Sequence, residues 1–182
     1  MNARVPLVSA TDTPAASRAT LDAVHGAFGA TPNMFRAVAN SPAALQAMWG
    51  FFGALGGGSI PAKLGEQIAV AVADRNACEY CLAAHTALGR KAGATPAEMS
   101  AAQAGESADP ATAAALRFAL KLVEQRGQVE DADVVALRAA GFGDGQIVEI
   151  LAHVALNLFT NYVNVAFAVL VDFPGVKLRA AT

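Results

Sequence analysis

The chain of 182 residues is short of almost everything that reacts. It carries two cysteines, three histidines and one tryptophan, and only 15% of its residues are charged. Average soluble domains hold nearer ~25% charged residues. With 54% hydrophobic residues, so little charge implies apolar surface that must be covered, and copies of the same chain are the simplest cover. No run of one sign occurs and the net charge is −2, which leaves no footprint for nucleic acid or an anionic membrane surface. The opening MNARVPLVSATDTP lacks the long apolar core of a signal peptide, so a cytoplasmic protein is expected. No stretch alternates as a strand, and no fixed period marks repeats. GGGS at 56–59 lacks the Gly-Lys-Ser/Thr ending of a phosphate loop and reads as a flexible connector, or as a hinge. The length suits a single domain, 1–182.

What the chain has in quantity is helix signal. Thr13-Pro14, Thr31-Pro32, Ser41-Pro42, Thr95-Pro96 and Asp109-Pro110 each pair a capping side chain with a proline. The capping oxygen can accept from the free amides of a first turn, where proline loses nothing by lacking an N–H. Thr95 and Glu98 have capping-box spacing. Alanine, the best helix former, crowds the segments between. The pattern predicts an all-α, multi-helix bundle with helices near 14–28, 32–39, 42–55, 61–75, 79–92, 96–104, 110–126, 131–140 and 144–170, and an irregular tail. Residues 146–171 are long enough to span a bilayer. However, Glu149, His153, Asn157, Asn161 and Asn164 recur every three or four residues, a stripe that lipid penalises, so no membrane span is expected.

Against that scarcity, NACEYCLAAHT at 76–86 sets Cys78, Cys81 and His85 within eight positions. In a reducing compartment such a pair of cysteines points to catalysis or metal rather than a structural bridge. Asn76 and Ala77 interrupt the helical run, placing Cys78 at or just before a helix start. On a helix the three side chains fall within about 60° of one another around the axis and face one pocket. First-turn amides and a nearby histidine lower a thiol pKa from ~8.5 toward ~3.5–7.5. Glu66, on the preceding helix beside Ala69, Val70 and Ala73, needs a partner. His85 is one candidate, and the pairing would fix the imidazole tautomer and raise its basicity; Lys63 or solvent is the other. His153 is either a hydrogen-bonded core residue or a pocket or subunit-contact residue with Asn157 and Asn161. His25 reads as structural, Trp49, Phe51 and Phe52 as core or interface, and Arg75 either raises the local positive potential or bonds the last carbonyls of its own helix. Two rival readings of the cluster stand: a zinc site completed by His25 or His153, and a non-enzymatic helical oligomer whose thiols sense oxidants or merely pack.

The spacing Glu66, eleven residues, Cys78-x-x-Cys81, three residues, His85 resembles the signature of the alkylhydroperoxidase D-like (AhpD-like) family, within the broader carboxymuconolactone decarboxylase-like superfamily. RNACEYCLAAHT resembles its core motif, and TPNMFRAVANSPAAL and AHVALNLFTNYVN resemble flanking segments of its peroxidase-related members, over about residues 30–170. The resemblance implies an all-helical fold, trimers or hexamers, and a peroxidase cycle with no metal, haem, flavin or nicotinamide cofactor. In that cycle Cys81 attacks a hydroperoxide, Cys78 condenses with the resulting sulfenic acid, His85 takes the Cys81 proton with Glu66 behind it, and an external dithiol reopens the bridge. One position departs from the best-known peroxidases: Tyr80 stands where they carry a second histidine, and tyrosine is a poor proton acceptor near neutral pH. The superfamily's lactone decarboxylases generally lack the paired cysteines, so their reaction is not expected here.

Overall fold

The computed structural model describes residues 3–179, among which there are nine α-helices and no strand. In chain order they are α1 (Ala15–Phe28), α2 (Asn33–Val38), α3 (Pro42–Gly56), α4 (Ala62–Arg75), α5 (Glu79–Lys91), α6 (Pro96–Gln103), α7 (Pro110–Glu124), α8 (Asp131–Ala139) and α9 (Asp144–Ala166). The all-α expectation holds, and eight helices fall within two residues of their expected bounds. No helix among the described residues is long and apolar enough to cross a membrane.

The first turns follow the cap-and-proline logic at three of five places. Ser41 Oγ accepts from the Ala44 N–H, Asp109 Oδ2 accepts from Thr112, and Thr95 and Glu98 close a reciprocal capping box. At the other two the proline itself becomes the N-cap and no side chain caps the helix end. Thr13 instead donates to the Ser9 carbonyl, and Thr31 sits 3.3 Å from His25 Nδ1. The free Asn33 amide at the start of α2 is met by Asp172 Oδ2 from the irregular tail, at 2.8 Å.

The hub is α4, in which every residue from Leu64 to Ala73 except Glu66 is buried. It packs against α5, α6, α7 and α9. Alanine, valine and glycine at its contacts let those helices approach closely; a Cβ at Gly65 would lie 3.1 Å from the His153 ring. Helix α9 runs beside it in the same direction. Glu149, early in α9, accepts from Ser59 N–H and Oγ and from Ile60 N–H through one oxygen, at 2.7–3.1 Å. The connector at 56–59 is therefore pinned, and the first member of the polar stripe does the pinning. A side chain at Gly58 would meet Glu149 Oε2 at 2.8 Å.

Two helix ends shape the site. At the end of α4 the Cys78 amide donates to the Ala73 carbonyl and the Ala77 amide to Asp74, with Ala77 left-handed at φ 52°. At the end of α9 the Val169 and Ala168 amides repeat the pattern on Asn164 and Val165, with Ala168 at φ 50°. That turn stops α9 at Ala166, short of the expected 170. Both turns place alanine where glycine is usual.

Candidate functional site

The tight turn out of α4 makes Cys78 the N-cap of α5, at the predicted helix start. Its sulfur accepts from the Cys81 N–H at 3.3 Å, standing in for the oxygen of an ordinary cap. Both thiols are free, and they are 1% and 2% exposed, so protein groups rather than solvent decide their charge.

Those groups act in opposite directions on the pair. The Cys78 S–H donates to Cys81, and this bond, opposed by burial and aided by His85, Asn164 and Asn161, pulls the Cys81 thiol down to about 6. The same bond, with burial, pushes Cys78 far up. At neutral pH the charge sits on Cys81 and the proton on Cys78.

One helical turn on, His85 Nδ1 lies 2.7 Å from Glu66 Oε2. Burial disfavours the charged imidazole, but the Glu66 carboxylate outweighs it and, with Cys81, holds the His85 pKa above its ordinary value. The other candidate partner of Glu66, Lys63, is taken by Glu98 at 2.6 Å. Cys81 and His85 line one cavity of about 40 Å³, walled by aromatic and aliphatic side chains that include Phe28, Phe35, Phe52 and Phe173. Trp49 packs behind Phe28 and Phe35 rather than in the cavity.

Tyr80 forms the partition. Its hydroxyl accepts from the Met34 N–H at 3.2 Å and its ring meets Phe173 edge-on. Burial, with Asp172 beside it, pushes its pKa up, so it stays a neutral phenol. Behind it Cys78 lines a second, more open cavity of about 210 Å³ with Asn164 and Val169. The two cysteines thus line different cavities.

The remaining sequence candidates are spread along α9. The amide of Asn157 donates to the His153 carbonyl in its own helix. Asn161 Oδ1 accepts from Asn76 Nδ2 at 2.9 Å. His153 packs over Gly65, the residue before Glu66 on α4, with a buried Nε2 that has no partner. Burial lowers its pKa. His25 lies apart on exposed α1, and Arg75 pairs with Glu124 of α7 instead of bonding its own carbonyls. Among the described residues no group of three or more His, Cys, Asp or Glu is placed to hold a metal ion. Asn164 escaped the sequence reading as a site residue: its Nδ2 donates to Cys81 Sγ at 3.1 Å. Its place on the α9 stripe was the available signal.

Residues 42–125 match the carboxymuconolactone decarboxylase family. The chain is similar to an uncharacterized peroxidase-related protein of Ralstonia eutropha JMP134, described as an alkylhydroperoxidase AhpD core. Identity is 28% and the TM-score 0.83, over 93% of this chain and 92% of that one. A similar protein of Silicibacter sp. TM1040, also peroxidase-related and uncharacterized, gives 27% and 0.81 over 92% and 91%. The debrominase Bmp8 shares the fold at 22% identity and a TM-score of 0.80, over 94% of each chain. No protein of curated function matches.

Proposed function

We propose, from the match of residues 42–125 to the carboxymuconolactone decarboxylase family, that the chain is a thiol-dependent peroxidase of the AhpD-like type. The observation that carries this reading is His85, held 2.7 Å from Glu66 and lining the same cavity as a Cys81 thiol pulled down to about 6. The Cys81 thiolate attacks the outer oxygen of a hydroperoxide, the O–O bond breaks, and the imidazolium of His85 gives its proton to the departing oxygen as an alcohol or water. The Cys78 thiol then attacks the Cys81 sulfenic acid, a disulfide forms, and water leaves. A dithiol in a reducing, cytoplasmic setting restores both thiols.

The geometry favours a direction for that last step. Cys78 faces the larger opening, and Cys81 is the better leaving thiolate, so the external thiolate bonds to Cys78 and the electron pair of the S–S bond departs on Cys81. The Cys81 cavity is apolar but only about 40 Å³, which suits hydrogen peroxide better than a hydroperoxide with a bulky substituent. Stopped-flow oxidation of the reduced protein by hydrogen peroxide and by an aromatic hydroperoxide tests the reading, with mass spectrometry locating the product. Oxidation well above the free-cysteine rate, faster with hydrogen peroxide, is expected; rates equal to free cysteine for both sink it.

The oligomer belongs to the same proposal. Val148, Leu151, Phe159, Tyr162 and Val165 form an exposed apolar stripe on the outer side of α9, with Tyr162 61% exposed. In a chain with 15% charge this is the surface a second copy would cover. Light scattering should give a mass of at least a dimer, and Tyr162→Glu should reduce it to the monomer. A monomeric native protein removes this part of the reading.

A further inference from the structure

Asn157, Asn161 and Asn164 are all buried in α9. A buried amide brings two donor hydrogens and an accepting oxygen, and each left unmet is destabilising. Asn157 turns to its own helix. The other two turn to the segment that carries the cysteines.

Asn76, at the end of α4, donates through Nδ2 to Asn161 Oδ1 at 2.9 Å. That bond fixes which end of the Asn161 amide faces where. Its acceptor is occupied, and its buried Nδ2 has no hydrogen-bond partner. Asn164 donates its own Nδ2 to Cys81 Sγ at 3.1 Å, and its oxygen likewise goes unmatched. A thiol sulfur is a weak acceptor, whereas an ionised acceptor binds donors about twice as strongly. Leaving the Asn164 oxygen unmatched to aim its N–H at a sulfur is a sensible arrangement only if that sulfur carries charge. No lysine or arginine lines the Cys81 cavity, so neutral donors have this part to play.

We propose a two-amide cradle for the Cys81 thiolate: Asn164 donates to the sulfur, and the unpartnered Asn161 N–H, oriented by Asn76 as the positioning residue, is the second donor that turns to the sulfur when it is charged. The amides share the load with His85 but differ from it in kind. An imidazolium loses its hold when it deprotonates or gives its proton away, whereas an amide N–H keeps its dipole at every pH. The cradle therefore supports Cys81 after His85 has spent its proton, and also when Cys81 departs as a leaving thiolate.

The test reads Cys81 alone: its alkylation rate by iodoacetamide against pH, with the adduct located by mass spectrometry. The native midpoint is expected at about 6. Asn164→Leu, of similar volume, should raise it by about one unit or more, which lowers the reactive fraction near that pH roughly fivefold. Asn76→Ala should move it the same way by less. Asn157→Leu, equally buried on the same helix, should leave it in place. An unmoved midpoint in folded Asn164→Leu and Asn76→Ala overturns the cradle, as does an Asn157→Leu shift as large as that of Asn164→Leu. If circular dichroism shows Asn164→Leu unfolded, Asn76→Ala, outside the core, carries the test alone. The readout involves no peroxide, so it stands apart from the outcome of the stopped-flow experiment.

Discussion

Cys81→Ser should lose the proposed hydroperoxide consumption, with the rate falling roughly 1000-fold or more, to the background of an unassisted thiol. The effect is this large because the groups around the position outweigh burial in favour of a sulfur anion. Cys78 gives it a hydrogen bond, Asn164 gives another at 3.1 Å, and His85 supplies a facing positive charge. A serine hydroxyl in the same place stays protonated, so the donors would face a neutral oxygen that cannot attack a peroxide. Cys78→Ser separates the two roles. It keeps a donor toward Cys81 but cannot form the disulfide, so it should oxidise once and then hold a sulfenic acid on Cys81 that dimedone traps. The measurement is single-turnover peroxide loss with mass mapping of the trapped residue. Sustained turnover by Cys81→Ser, or normal cycling of Cys78→Ser with a dithiol, would reverse or remove the assignments.

The part of this arrangement that lies within one stretch of chain was legible in the sequence. Cys78, Cys81 and His85 are near neighbours on α5, and helical geometry alone sets them on one side. Glu66 could be placed because its helix is otherwise apolar at that face, which left a carboxylate in want of a partner. The same local reasoning found caps at Ser41, Thr95 and Asp109. It failed where a contact comes from far along the chain. Asp172 meets the start of α2 from 139 residues away, which leaves Thr31 with nothing to cap. Asn164 reaches Cys81 across 83 residues, and no spacing rule could join them. The end of α9 was misjudged for another reason. Ala168 takes the left-handed position that glycine usually marks, so the apolar run to Val171 gave no sign of stopping. Ala77 does the same between α4 and α5, but there the polar Asn76 betrayed the break.

Glu66→Gln should narrow and lower the pH profile of peroxide reduction. The proposed cycle needs Cys81 ionised and His85 protonated at once, so the expected profile is a bell. Its rising limb follows Cys81, at about 6. Its falling limb follows His85, which Glu66 holds above the ordinary histidine value. The glutamine amide keeps the shape of the carboxylate but not its charge. His85 then loses its proton at lower pH, and the falling limb moves down. An imidazole that is less often charged stabilises the thiolate less, so the Cys81 limb moves up. The two limbs converge, and the fraction of molecules with both groups ready shrinks from both sides. The maximum should fall roughly 100-fold, within the usual range for losing a general acid–base group. Steady-state rates from acid to alkaline pH check this, and the direction of each limb matters more than the height. A variant that lost activity with both limbs unmoved would assign Glu66 a packing role, because damage to packing lowers a bell without changing its width.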